Sequence, residues 1–120
     1  MRSKPTYARA HDFSEMSDQQ LDSFRVEGRH ACAMVLKCAV QMVRDKPQFH
    51  HGVTRKEMEA TFPRIMGFDL ATYGNRLRDN ANATPPLMGR HDVHGERHFF
   101  PLCLDEQGLI DHSRCDCKPK

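Results

Sequence analysis

Residues 52–62 read GVTRKEMEATF, and this stretch contains the sharpest helix start in the chain. Thr54 is a favourable N-cap residue, and Glu57 follows three positions later, where its side chain can complete a capping box. Val53 before the cap and Met58 in the first turn have the spacing of a hydrophobic staple. The stretch therefore predicts a short helix that begins directly after Thr54.

A turn and a second helix follow this stretch. Pro63 ends the first helix, and residues 66–69, MGFD, supply a turn that contains a glycine. Residues 70–80, LATYGNRLRDN, repeat apolar positions at helical spacing, about 100° per residue. The positions on the apolar side are Leu70, Tyr73, Gly74 and Leu77. The positions that point the other way are Thr72, Asn75, Arg76 and Asp79.

The next stretch predicts a β-hairpin. Pro85-Pro86 stops the helix, and residues 86–102 read PLMGRHDVHGERHFFPL. Two extended segments, about 87–92 and 97–102, are expected to reverse direction near His94-Gly95.

Upstream lies the longest helical pattern of the chain. Ser17 and Gln20 have capping-box spacing. Gly28 divides the pattern into a short helix and a main helix over about 29–45, because glycine inside a helix costs about 1 kcal/mol relative to alanine. Residues 31–43, ACAMVLKCAVQMV, are apolar almost all round, which predicts either the central core helix or, in part, a dimer seam.

The order of these elements over residues 29–102 resembles the winged helix-turn-helix family. The stretches GVTRKEMEATF, MGFD, LATYGNRLRDN and PLMGRHDVHGERHFFPL carry the resemblance. It implies a mainly α fold with a small β-hairpin. The expected organisation is a basic N-terminal arm over 1–16, a winged helix domain with an N-terminal helical extension over 17–104, and a polar, cysteine-containing tail over 105–120.

The resemblance also implies a function, namely site-specific binding of double-stranded DNA by a small transcriptional regulator. The third helix would enter the major groove, and the hairpin would form a wing on the DNA backbone or in the minor groove. The residues expected to contact bases are Thr72, Asn75 and Arg76, whose side chains suit base edges. The residues expected to contact the DNA backbone are Arg55, Lys56, Arg78, Arg90, His91 and Arg97, with Arg2, Lys4 and Arg9 from the arm.

The expected oligomer is a homodimer, because pairing doubles the few DNA contacts of a small module.

The charge balance, however, leaves a second interpretation of the function open. The chain has 18 Lys and Arg against 16 Asp and Glu, and residues 53–98 hold seven basic against six acidic side chains. A nearly neutral module also suits a protein-binding winged helix, for example a small phage- or plasmid-type inhibitor of a host protein.

The cysteines raise the alternative of a metal site. Cys103, His112, Cys115 and Cys117 are candidate zinc ligands, but their spacing lacks the paired C-x2-C units of strong zinc motifs. We therefore expect no cofactor, with zinc as the alternative. The odd total of five cysteines argues against a disulfide framework.

Two further expectations come from what the sequence lacks. It contains no glycine-rich phosphate loop and no protease or hydrolase motif, so we expect no enzyme activity. It contains no apolar run of the roughly 18–20 residues that a membrane-spanning helix needs. We therefore expect a cytoplasmic protein without a membrane partner.

Overall fold

The computed structural model of this 120-residue chain describes residues 10, 13–23, 30–62, 70–105 and 108–111. These residues are mainly α-helical with one small antiparallel hairpin, as the sequence predicts. The elements in chain order are α1 (Asp18–Asp22), α2 (His30–Asp45), a 3₁₀ turn (Pro47–Phe49), α3 (Arg55–Thr61), α4 (Leu70–Asn82), β1 (Met88–Val93) and β2 (Glu96–Pro101).

Helix α2 forms the centre of the core. Val35, Leu36, Ala39 and Val40 have no exposed surface, and the helix packs against α1, α4 and β2. The interpretation of this segment as the core helix is confirmed. The capping box that opens α1 is also present, with Ser17 and Gln20 bonded to each other's backbone amides.

Helix α3 begins where its sequence predicts. The Thr54 hydroxyl accepts a hydrogen bond from the Glu57 amide at 3.1 Å, and the Glu57 carboxylate accepts one from the Thr54 amide at 2.8 Å. The helix ends at Thr61, one residue before Phe62. The predicted turn over 66–69 lies outside the described residues.

Helix α4 is anchored to α2 by a buried side chain. Asn80 is 1% exposed, and its Nδ2 donates to the Cys32 carbonyl at 3.1 Å and to the Arg76 carbonyl at 2.9 Å. Tyr73 and Leu77 complete the buried side of the helix, and the Tyr73 hydroxyl donates to the Phe62 carbonyl. These contacts fix the orientation of α4 and leave its other side at the surface.

The hairpin also forms as predicted, with each strand boundary within about one residue of its expected place. β1 and β2 pair antiparallel with His91 opposite His98. His94 and Gly95 turn the chain with φ values of 51° and 82°. Positive φ at both central residues is the requirement of the type I′ turn, which matches the twist of the two strands.

A third extended position joins the hairpin, and the sequence did not predict it. Val53 and Phe99 exchange two backbone hydrogen bonds, of 2.7 and 2.8 Å. Gly52 permits this approach, because its φ is +95° and a Cβ there would lie 2.5 Å from the Phe99 carbonyl oxygen. The pairing places the start of α3 directly beside β2.

The two ends of the described chain also join the body. Phe13 is 3% exposed and belongs to the core, and the Ala10 amide donates to the His50 carbonyl at 2.8 Å. The far end of the predicted arm therefore packs on the domain, while Arg2, Lys4 and Arg9 lie outside the described residues. At the other end Leu104 pairs with Ile110. In the described ranges, no helix has both the length and the apolar character needed to cross a membrane.

Candidate nucleic-acid interface

The exposed side of α4 carries two polar side chains one turn apart. Asn75 and Arg78 are exposed, and they lie opposite the buried Tyr73 and Leu77 on the helical wheel. An Arg78 Nη2 donates to the Asn75 Oδ1 at 3.5 Å, so the two side chains run side by side. The side chain of Thr72, the third predicted base contact on this helix, lies outside the described part of the structure.

Arg76 lies on the flank of α4 and is tethered there. Its Nη1 pairs with the Asp79 carboxylate at 2.7 Å, and the two side chains are only 30% and 28% exposed. The Arg76 Nε is buried and has no hydrogen-bond partner among the described residues. Helical periodicity placed Arg76 and Asp79 on the outward side, but their salt bridge turns them toward each other along the flank.

The start of α3 meets α4 at a glycine. A Cβ on Gly74 would lie 2.9 Å from the Cδ of Arg55, so the absence of a side chain lets the Arg55 stem cross the surface of α4. The Arg55 Nε is 3.4 Å from the Glu59 carboxylate, and more than half of the Arg55 side chain is exposed. Arg55 therefore reaches α4 one turn before Arg78.

Sequence periodicity placed Gly74 on the apolar side of α4 and gave it no role. A role for Gly74 is indicated by its energetic cost, because a glycine inside a helix costs about 1 kcal/mol relative to alanine. In the structure Gly74 supplies the space that brings a cationic side chain to the exposed face of α4.

The predicted hairpin contacts are divided between the two faces of the hairpin. Cross-strand partners share a face, so Arg90 with Phe99, and Asp92 with Arg97, lie on one face, while His91 with His98 lies on the other. The Arg97 Nε pairs with the Asp92 carboxylate at 2.7 Å. Arg90 is exposed.

The face that carries His91 turns back toward the loop before α3. The His91 Nε2 donates to the His51 carbonyl at 2.6 Å, and its ring packs edge-on against Phe100 with centroids 5.1 Å apart. His91 thus contributes to the packing of the hairpin base. Of the three predicted wing contacts, only Arg90 and Arg97 share a face.

Arg90 lies close to the start of α3. It pairs with Phe99, and Phe99 pairs on its other side with Val53. Since neighbouring strands lie about 4.8 Å apart, Arg90 and Val53 are separated by about 10 Å. The backbone of the hairpin at Arg90 therefore runs close to the residue that precedes the cap of α3.

The salt bridges sort the charges of α3, α4 and the hairpin into two groups. Three arginines form salt bridges with carboxylates of the same chain: Arg55 with Glu59, Arg76 with Asp79, and Arg97 with Asp92. The carboxylate of Glu57 is used in the capping box of α3. Within the described residues, the basic side chains of this region that have no carboxylate partner are Lys56, Arg78 and Arg90.

The cysteines are arranged differently from the expectation. Cys103 is 2% exposed and disulfide-bonded, so its sulfur is not available as a zinc thiolate. An odd number of cysteines excludes complete pairing but permits a single disulfide, so the total of five did not exclude the disulfide of Cys103. The other proposed ligands, His112, Cys115 and Cys117, lie outside the described residues, and the described ones contain no cluster of three metal-binding side chains.

Cys32 and Cys38 are free and buried, as predicted from their place in an apolar helix. Burial raises the pKa of Cys38 to about 12. Both thiols are buried in the packing of α2, and that of Cys38 is far from the reactive thiolate form at neutral pH.

The chain matches no family model, no curated protein and no solved structure. Its candidate site is the surface made by the exposed side of α4, the first residues of α3 and the Arg90 face of the hairpin, which we call the α4 surface. This surface combines side chains that can donate to base edges with cations that have no carboxylate partner.

Proposed function

We propose that the protein is a winged helix-turn-helix factor that binds a specific site on double-stranded DNA as a small transcriptional regulator. In this proposal α4 lies in the major groove and the β1–β2 hairpin contacts the DNA backbone. The observation that carries the proposal is the distribution of unpaired charge. Five cations of the described residues have no carboxylate partner, and three of them, Lys56, Arg78 and Arg90, belong to α3, α4 and the hairpin, whereas Lys37 and Lys46 lie elsewhere.

The connection between the hairpin and α3 supports the winged-helix architecture. A wing must be held at a fixed distance from the helix that enters the groove, or its phosphate contacts cannot set the register of that helix. The hydrogen bonds between Val53 and Phe99 tie β2 to the residue that precedes the α3 cap. Asn80 fixes α4 to the same core through the Cys32 carbonyl.

The dimensions of α4 support its placement in the groove. Its 13 residues span about 20 Å, and a helix of about 10 Å diameter fits the major groove. The exposed side of α4 presents an amide and a guanidinium, which suit adenine and guanine edges. The carboxylate of Asp79, which would repel phosphate, is neutralised by Arg76.

The salt dependence of binding to a fluorescent DNA duplex tests this proposal. Release of counterions by at least two phosphate contacts, those of Lys56 and Arg90, should weaken binding about 12-fold or more between about 50 and 200 mM salt. Lys56→Ala and Arg90→Ala should each reduce the slope of log affinity against log salt by about one unit. Lys46→Ala removes the same charge outside α3, α4 and the hairpin, so it serves as the matched control and should leave the slope unchanged.

A wild-type chain that fails to bind a mixed pool of genomic DNA fragments at about 50 mM salt would exclude this function. Salt-independent binding would exclude it as well, because phosphate contacts release counterions.

One observation favours a second function, binding to another protein. Three arginines expected to contact DNA, Arg55, Arg76 and Arg97, are paired with carboxylates of the same chain. Neutralised pairs are weak ligands for phosphate but are ordinary components of protein interfaces. If the protein is a small inhibitor of a host protein, it should capture one discrete partner from lysate, and nuclease treatment should not prevent the capture. The same wild-type chain should then show no affinity for DNA.

A further inference from the structure

We infer that Asn75 and Arg78 form the base-reading pair of α4, and that the DNA target contains neighbouring A·T and G·C base pairs that this pair recognises. Arg76, the arginine that the sequence pattern favours, acts instead as a brace that holds Asp79. The inference rests on the proposed DNA-binding function and assigns its sequence specificity.

Exposure separates the two arginines. Arg78 is exposed and its contact with Asn75 lies at the surface. Arg76 pairs with Asp79 at 2.7 Å, its side chain is 30% exposed, and its Nε is buried. For Arg76 to reach a base edge it would have to leave Asp79, and the partly buried carboxylate would then lose this salt bridge close to DNA.

The hydrogen bond between Asn75 and Arg78 leaves their base-reading groups available. The Asn75 carbonyl oxygen has two lone pairs, so it can accept from Arg78 and from the amino group of adenine. Its Nδ2 is then free to donate to adenine N7. Arg78 uses one of its five N–H donors on Asn75 and retains the others for the O6 and N7 atoms of guanine.

The spacing of the pair suits adjacent base pairs. Residues three apart on a helix are about 4.5 Å apart along its axis, and successive base pairs of DNA are about 3.4 Å apart. The two side chains lie about 60° apart around α4, on the same side of the helix. They can therefore address two neighbouring steps of one groove without a change in helix orientation.

Arg76 has a separate role in this arrangement. Its guanidinium masks the Asp79 carboxylate on the flank of α4. Removal of Arg76 takes away the salt bridge of that carboxylate, whose charge would then repel DNA phosphates more strongly whatever the base sequence. The brace and the base-reading pair can therefore be distinguished, because one affects all sequences equally and the other affects only the preferred ones.

The test is selection of bound sequences from a pool of randomised duplexes, followed by affinity measurement on the preferred duplex and on a scrambled one. Four chains are compared: wild type, Asn75→Ala, Arg78→Lys and Arg76→Ala. Lysine keeps the charge of Arg78 but lacks its bidentate fork. Circular dichroism and the thermal midpoint establish that each variant is folded.

We expect wild type to select a motif with adjacent A·T and G·C pairs. Arg78→Lys should lose about 10-fold or more of the preference for guanine while its salt slope is kept, and Asn75→Ala should lose the preference for adenine. Arg76→Ala should weaken the preferred and scrambled duplexes by the same factor. Asp79→Asn in the Arg76→Ala background should restore the affinity.

Loss of the guanine preference in Arg76→Ala, with Arg78→Lys unchanged, would overturn the inference and leave DNA binding intact. Unchanged preferences in Asn75→Ala and Arg78→Lys would also overturn it. Failure of the wild-type chain to bind any duplex is a different result, because it removes the proposed function itself.

Discussion

Phe100 packs across the hairpin onto Gly89, its cross-strand partner. A Cβ on Gly89 would lie 2.1 Å from the Phe100 ring, which is rigid and 6% exposed. Gly89→Ala must therefore displace the ring from the core, and we expect it to lower the free energy of unfolding by about 1–3 kcal/mol in urea denaturation. Arg90→Ala, at the next and exposed position, should change it by less than about 0.5 kcal/mol. Equal losses from the two variants would contradict the packing described here.

The buried thiol of Cys38 makes stability sensitive to alkaline pH. Burial raises the pKa of Cys38 from 9.0 to about 12. Between these values the unfolded chain has released the thiol proton and the folded chain still holds it, so stability is full below about pH 9 and falls as the pH rises. The free energy of unfolding should fall by up to about 1.4 kcal/mol per pH unit from this group.

Urea denaturation of wild type and Cys38→Ala between about pH 8 and 10.5 measures this effect. Burial, and after it the charges of Cys38 and Glu59, also raise the pKa of Tyr73, so Tyr73 too makes the protein less stable as the pH rises. The difference between the two curves therefore reports the Cys38 thiol together with its effect on Tyr73. Curves that remain parallel over the whole range would show that Cys38 ionises at its ordinary pKa in the folded protein.

Gly74 couples the stability of α4 to the position of Arg55. Gly74→Ala should stabilise the helix by up to about 1 kcal/mol, because alanine has the higher helix propensity. The new methyl group should also displace the Arg55 stem, whose Cδ lies 2.9 Å from the Cβ position. We expect a higher thermal midpoint together with weaker DNA binding.

Arg55→Ala is the comparison for this variant. It should weaken DNA binding to a similar degree and should not raise the thermal midpoint, since it leaves Gly74 in the helix. A Gly74→Ala chain that is both more stable and equally strong in binding would show that Arg55 does not contact DNA.

Local signals explain which elements could be predicted from the sequence. Four consecutive residues determine the start of α1, and four determine the start of α3. Both capping boxes form as their spacing predicts. The pairing of Val53 with Phe99 joins residues far apart in the chain, so no local pattern reports it. The salt bridge between Arg76 and Asp79 could not be predicted for another reason. Helical periodicity reports the direction of a side chain but not the neighbour that it binds.

Across the whole molecule, the charge total conceals an uneven distribution. The chain carries a formal net charge of +2, which by itself favours no acidic partner. Most carboxylates near the α4 surface are already bound, either to arginine or in a helix cap. Three cations of this surface have no carboxylate partner, a number that suits a binder with few specific phosphate contacts.

The burial of α2 changes the expectation for the oligomer of the free protein. A dimer seam along this helix would need apolar side chains at the surface, but Val35, Leu36, Cys38 and Val40 are buried within one chain. Among the described residues, Leu109 is the one large hydrophobic side chain that is exposed. We therefore expect sedimentation velocity to give a monomer of 13.8 kDa at micromolar concentration.

Sedimentation with duplex DNA then decides where pairing arises. If two copies dock on a symmetric site, the complex should contain two chains per duplex although the free protein is monomeric, because the DNA itself brings the copies together. Duplexes with a single copy of the selected motif should then bind one chain. The free protein could instead sediment as a dimer and remain a dimer on a duplex with a single motif. That result would show that an interface other than the buried side of α2 holds the two chains.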